Sequence, residues 1–272
     1  MSDLRNDYLK SEGILPGDED KGRALLAAAA LTHGLDVWVM KKTLTVVMRD
    51  EWQGLMTKIA GRPWNKEDLL RMTFRNGTFT SQATFLEGDR KNKTIGIQSW
   101  KTYERENDQQ EYVFKDDDNT LFILPAFQYF FEMPFRLHTA ELVAWMGEGI
   151  LSGQVCDKVF ITWNTAEPHV ENDQYIVWIN RETERIELVQ YTVRDIFRFV
   201  TGEMRFQDYR ELEGVLYPYL MTVSNLDSEY KVGDGYLHQI RVESMEFDVV
   251  LSEELTVNAD IEELGDNKPG KE

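Results

Sequence analysis

Apolar residues recur on both parities of a strand from Val155 onward, and that pattern governs the rest of the reading. It predicts strands over Val155–Trp163, Gln174–Ile179, Glu187–Val193, Glu203–Tyr209 and Gly214–Val223, with short polar breaks between them. An antiparallel sheet with one wet face alternates apolar and polar residues. Tyr175-Ile176-Val177-Trp178-Ile179 does not alternate, and in Val215–Met221 only Pro218 and two phenols soften the run. Both faces of this sheet must therefore be covered. One clear helix is on offer, alanine-rich Gly22–Thr32, opened by Asp18-Glu19-Asp20 at its positive end and closed by His33 and Gly34. One helix covers a band of about 10 Å, far less than a sheet of many strands at about 4.8 Å each. The pattern thus implies a closed or half-closed barrel around an apolar interior.

The first half predicts strands over Asp36–Arg49, Leu69–Arg75, Gln82–Leu86, Thr94–Trp100 and Glu111–Phe114. Asn76-Gly77 and Glu87-Gly88-Asp89 are turn signals, and Gly61–Lys66 reads as an irregular crossover. Leu121–Leu137 is too apolar for a surface loop. Its two prolines argue against one long helix, so a short helix is expected over Ala126–Phe131. A strand follows at Ala140–Met146, and the last spans Gln239–Leu251. Turns are expected at Asn180–Thr183, Glu213-Gly214 and Gly233-Asp234-Gly235. Pro16-Gly17 reads as a breaker. The expected organisation is a flexible leader over residues 1–18, a single domain over 19–255, and an acidic disordered tail over 256–272.

Charge narrows the function. The formal charge is −18, with net −4 in residues 1–20 and net −5 in residues 253–272. No basic stripe exists to displace counterions, so nucleic-acid binding is rejected, and a polybasic membrane patch is absent for the same reason. Cys156 is the single cysteine, which rules out an internal disulfide. No window is long and apolar enough to span a bilayer. Met1-Ser2-Asp3-Leu4-Arg5 is not a signal peptide, so either the protein is cytosolic or a leader has been removed.

Four passages carry a resemblance. They are Leu31-Thr32-His33-Gly34-Leu35-Asp36-Val37-Trp38; Tyr129-Phe130-Phe131-Glu132-Met133-Pro134-Phe135; Asp173-Gln174-Tyr175-Ile176-Val177-Trp178-Ile179-Asn180; and the run from Phe206 through Gly214 to Pro218. Their order resembles the LolA/LolB-like lipoprotein-carrier fold, closest in texture to LolA-related secreted or lipoprotein families of Bacteroidota-type bacteria. The resemblance covers most of residues 20–255. It implies a mainly β, α+β architecture: an antiparallel half-barrel wrapped partly around a helix, with an apolar concave face that holds acyl chains. It also implies the periplasm or outer membrane, with membrane association through a removed N-terminal lipid anchor. The chain departs from the pattern in showing neither leader nor lipobox cysteine.

The candidate walls of a ligand cavity are Phe127, Phe130, Phe131, Met133, Trp163, Trp178 and Tyr217. The competing reading is that these aromatics simply fill the core. The four histidines lack metal-ligand spacing, and Asp116-Asp117-Asp118 lacks the pattern of a calcium loop. Cys156 opens an apolar strand, where a thiol is inert packing. Glu171 with Asp173, or Asp208 with Glu211, are acid pairs with nothing to raise them above surface charge. No nucleophile elbow, P-loop or dinucleotide fingerprint is present. The expectation is a non-enzymatic carrier of a lipid-like ligand, without cofactor or metal. The alternatives are a structural or interaction protein with a filled core, and a β-barrel enzyme on a small apolar substrate.

Overall fold

A computed structural model describes the chain except residues 54–63, 66–67, 107–108, 195–196, 226–235 and 266–272. Among the described residues thirteen strands form one open, antiparallel sheet. They are β1 (Thr43–Trp52), β2 (Leu70–Arg75), β3 (Ser81–Phe85), β4 (Thr94–Gln98), β5 (Lys101–Arg105), β6 (Val113–Phe114), β7 (Leu142–Leu151), β8 (Gln154–Thr162), β9 (Tyr175–Asn180), β10 (Ile186–Val193), β11 (Phe197–Leu212), β12 (Val215–Asn225) and β13 (His238–Phe247). Their order is β6-β5-β4-β3-β2-β1-β13-β12-β11-β10-β9-β8-β7. The helices are α1 (Asp7–Glu12), α2 (Pro16–Thr32), α3 (Leu35–Trp38) and α4 (Asp118–Leu137). The chain divides into two compact units: residues 1–35 with 133–238, and residues 36–132 with 239–272.

In the first unit, strand alternation sorts the side chains of β7–β9 onto two faces. The register places Ala144, Phe160 and Ile176 in one row, with Lys158 beside Trp178. Val143, Ile161 and Tyr175 share the other face with Trp145, Val159 and Val177. Helix α2 covers this second face. Its buried positions Gly22, Leu26, Ala29 and Ala30 make one helical stripe. Gly22 lets it come close, because a Cβ there would lie 2.7 Å from Val143 Cγ1 and 3.2 Å from the Trp145 nitrogen. Pro16, expected to break the chain, is instead the first residue of the helix, where its missing N–H costs nothing.

The first face is covered by residues 1–14. The expected flexible leader is here a packed segment. Leu4 packs against Ile176, Trp178 and Met146, and Leu9 of α1 against Ala144 and Phe160. The Leu4 N–H donates to Gln174 Oε1 at 3.0 Å, and Arg194 donates to the Ser2 carbonyl at 2.6 Å. Both faces of this part of the sheet are apolar because the chain itself sits on both.

The second unit repeats the device. Leu44, Val46, Met48, Leu70, Met72, Phe74, Ala83, Phe85, Ile95 and Ile97 are all buried and face α4. The opposite face, with Arg75 and Gln98, receives residues 252–264. Arg75 pairs with Glu263 and donates to the Ser252 carbonyl, and Gln98 exchanges two hydrogen bonds with the Asn258 backbone. The start of the expected disordered tail is therefore docked.

Three elements differ from the sequence reading. Residues 118–137 form one helix straight through Pro125 and Pro134. Each interior proline costs about 3 kcal/mol, whereas burying Leu124, Phe127, Phe131 and Phe135 returns about 1.5–3 kcal/mol apiece. Asp117 starts the helix by accepting from the Asn119 and Thr120 N–H groups. The first strand does not begin at Asp36. Leu35–Trp38 is a helical turn, and pairing starts at Thr43. The expected strand Thr94–Trp100 is really β4, then a turn at Ser99-Trp100 with φ of 47° and 64°, then β5. That hairpin lacks the usual Asn-Gly signal. Most of the Gly61–Lys66 crossover and the Gly233-Asp234-Gly235 turn fall outside the described residues.

Candidate hydrophobic-ligand site

Helix α4 is the element richest in the expected wall residues. Within the second unit, Phe127 meets Trp64 edge-on at 5.2 Å between ring centres, and Phe131 lies 5.7 Å from Phe74. Phe130 is half-buried and sits 5.7 Å from Phe127. The helix is fixed in rotation by a polar pair one turn apart. Gln128 and Glu132 are both buried, and Gln128 Nε2 donates to the Arg75 and Thr78 carbonyls of the β2–β3 turn. Glu132 accepts from the Gly77 N–H at 3.3 Å. With this pair held against the turn, Phe127 and Phe131 are held over β2.

Near Trp64 the indoles of Trp64 and Trp52 both donate to Oδ2 of buried Asp50, at 3.1 and 2.5 Å. A buried carboxylate needs such donors, and they lock the indole against which Phe127 rests. The sequence reading missed Trp64, Leu124 and the Met72/Phe74 row. The alternation Leu70-Met72-Phe74 was the signal for the last.

Within the first unit, Met133 and Tyr217 are buried, and the Tyr217 ring lies 6.3 Å from Phe135. The two tryptophans do not share a wall. Trp163 lies edge-on to Tyr175 at 5.9 Å, on the α2 face. Trp178 lies on the α1 face, where its indole donates to Gln190 Oε1 at 3.1 Å and Lys158 stands over its ring. The structure thus brings Phe127, Phe130 and Phe131 together, places Met133 and Tyr217 beyond them in chain order, and separates Trp163 from Trp178 by strand parity.

The polar chemistry nearby is structural. His33 is buried, with Nδ1 donating to the Leu216 carbonyl at 3.1 Å and Nε2 accepting from the Ile186 N–H at 3.2 Å. Burial lowers its pKa to about 4, so it is neutral. Asp157 is held below the ordinary carboxylate range by Arg181, and it also accepts from the Trp145 indole at 2.8 Å. Cys156 is buried, and desolvation pushes its thiol up to about 11, with Glu187 and Asp157 adding to the shift. A thiol that stays protonated is a poor nucleophile. A cavity lined by Ile95, Thr102, Tyr103, Glu104, Lys115, Asp117 and Thr120 has a volume of about 10 Å3, room for one water. Among the described residues no cluster of three metal-ligating side chains occurs. No helix among them is long and apolar enough to cross a membrane.

A domain assigned to outer membrane lipoprotein sorting, from Vibrio parahaemolyticus, superposes with a TM-score of 0.53 at 10% identity, covering 88% of this chain and 97% of that one. A DUF1329 family protein from Desulfovibrio piger gives 0.51 at 10% identity, over 89% of this chain and 98% of that one. The fold is LolA-like. A LolA superfamily protein from Nitrosomonas europaea gives 0.49 at 11% identity over 85% of this chain and 96% of that one. No family model matches the chain, and no curated protein matches it in sequence. At these identities the likeness is one of fold. The mainly β, antiparallel architecture with few helices expected from the sequence is the one observed, and the sheet is not closed.

Proposed function

We propose that this protein binds and carries a hydrophobic, lipid-like ligand in the bacterial cell envelope without performing chemistry on it. The observation that carries the reading is α4. Four of its phenylalanines, Phe122, Phe127, Phe130 and Phe131, fall within ten residues, on a helix laid over the apolar face of β1–β4. Phe130 is only half-buried and Phe122 is 38% exposed. Each methylene that a ligand buries on such a surface contributes about 0.8 kcal/mol, so an acyl chain can bind by burial alone. The assignment of the Vibrio parahaemolyticus domain to lipoprotein sorting supports the ligand class. The same likeness supports an envelope location. The neutral His33, the protonated Cys156 and the salt-bridged Asp157 favour a non-catalytic protein.

The second reading is a protein whose interior is filled by its own side chains. It is favoured by the near-complete burial of Phe127, Phe131, Met133 and Tyr217. Titration with a fluorescent fatty acid separates the two. Carriage gives saturable binding that Phe130→Asp weakens at least tenfold while the circular dichroism spectrum is unchanged. Mass spectrometry of the native protein should show a co-purified lipid that organic extraction removes. Absence of both saturable binding and lipid leaves the filled-core reading.

A further inference from the structure

Two buried polar atoms interrupt the apolar contact between β3 and α4. Ser81 has the parity of Ala83 and Phe85, pairs with Phe74 and Ile97, and is fully buried on the face that α4 covers. Gln128 is fully buried on α4 itself. Its amide can lie only one way, because Nε2 faces three acceptors: the Arg75 carbonyl at 2.8 Å, the Thr78 carbonyl, and Glu132 Oε1 at 2.9 Å. Turned over, the amide would set its oxygen against all three. Ser81 opens β3 directly after the turn that holds Gln128, so both side chains belong to one end of the α4 interface. Neither Ser81 Oγ nor Gln128 Oε1 has a hydrogen-bond partner among the described residues. The hydroxyl lacks an acceptor and the amide oxygen lacks a donor. Buried polar groups are normally paired, and each one left unpaired weakens the fold. Two of them at one place on an otherwise apolar face are accounted for by a guest that pairs both.

We propose that Ser81 and Gln128 recognise the head of the acyl ligand, and that this head is an uncharged group with both a donor and an acceptor, a hydroxyl or an amide. The inference rests on the carriage reading above and names the ligand class within it. The O–H or N–H of the head donates to Gln128 Oε1, and its oxygen accepts from the Ser81 hydroxyl. The chain lies against Phe127 and Phe130 of the same helix.

A free fatty acid fits this place poorly. Its carboxylate has no hydrogen for Gln128 Oε1. It would also stand one helical turn from Glu132, which is itself buried and accepts from Gln128 Nε2 and the Gly77 N–H. A buried carboxylate needs a cation or several donors, and Ser81 supplies a single one. The guanidinium of Arg75 is directed to Glu263 on the opposite face of the sheet.

Three ligands of one chain length test the assignment at neutral pH: monododecanoylglycerol, methyl dodecanoate and dodecanoic acid. The glyceride head donates and accepts, the ester only accepts, and the acid is ionised. Binding is followed by tryptophan fluorescence in the intact protein and in Ser81→Ala, with thermal unfolding read in parallel. The glyceride should bind at least about tenfold tighter than the acid, with the ester between them. Ser81→Ala should weaken the glyceride and the ester about three- to tenfold. It should leave the free protein as stable as before or more so, because an unpaired hydroxyl has gone. An acid bound as tightly as the glyceride overturns the proposal. So does a Ser81→Ala protein with unaltered affinities, which would assign the two atoms to an internal water. The ligand series in the intact protein decides even if the variant does not fold. If none of the three binds, carriage falls and this assignment with it. If all three bind alike, carriage stands and only the assignment of the head falls.

Discussion

Burial of His33 as a neutral imidazole ties stability to pH. Its folded pKa is about 4 against an ordinary value near 6.5. Above pH 6.5 the group is neutral whether the chain is folded or not, and its contribution is intact. As pH falls from 6.5 towards 4 the unfolded chain takes up a proton that the folded chain refuses. Stability then drops by up to about 3 kcal/mol. Urea midpoints measured from pH 7.5 to 5 should decline, and His33→Asn should be weaker at neutral pH but flatter across that range. Gly34 beside it answers a different demand. It has φ of 88°, and a Cβ would run into the Gly214 carbonyl oxygen and lie 2.9 Å from Val215 Cα. Gly34→Ala should cost about 2–4 kcal/mol by denaturant titration. The sequence marked Gly34 as a helix terminator, and it is one. That His33 would be shared between β10 and β12 was not legible, because the partners lie 153 and 183 residues away.

At the scale of elements, strands with strict alternation were readable and helices set by tertiary burial were not. Leu70-Met72-Phe74 and Leu44-Val46-Met48 announce their faces by period alone. Helix α4 does not, because local rules stop a helix at proline and only the sheet beneath it reverses the balance. The Ser99-Trp100 turn hid for the converse reason: its left-handed φ values sit on residues that carry side chains. Of the candidate wall residues, the run Phe127–Phe131 was legible as a group. Trp163 and Trp178, both named as candidate walls, lie on opposite faces, because strand parity separates them. The docking of α2 depends on close approach at Gly22, where a side chain would meet backbone as well as the Val143 methyl. Gly22→Leu should lower stability by about 2–4 kcal/mol. It should also speed hydrogen exchange in β7 more than in β10 or β11, and equal acceleration in all three strands would disprove this docking role.

For the whole molecule the apolar surplus seen in the sequence has two covers that the sequence concealed. Polar composition made residues 1–18 and 256–272 look like free ends. Yet Leu4 and Leu9 are buried, and Glu263 and Asn258 are bonded to the sheet. Composition registers the average character of a segment, whereas docking here rests on two leucines, one arginine pair and a few backbone hydrogen bonds. Limited proteolysis at neutral pH should therefore spare the peptide bonds between residues 4 and 14, and Arg5→Ala/Glu167→Ala should expose them. Rapid cleavage at Arg5 or Lys10 in the intact protein would contradict the packed arrangement.

The two units are interleaved along the chain, and this governs the order in which they can be made. During synthesis α2 emerges more than a hundred residues before the β7 strand it covers. Residues 36–132 then appear complete except for β13 and the segment that docks on Arg75 and Gln98, which follow only after the whole of residues 133–238. Neither unit can close until its second segment has emerged. Contacts of such long sequence separation are slow to form, because the intervening loop must be closed before anything is gained. A nascent chain of this design keeps the apolar strands of residues 36–132 waiting for a partner that emerges about a hundred residues later.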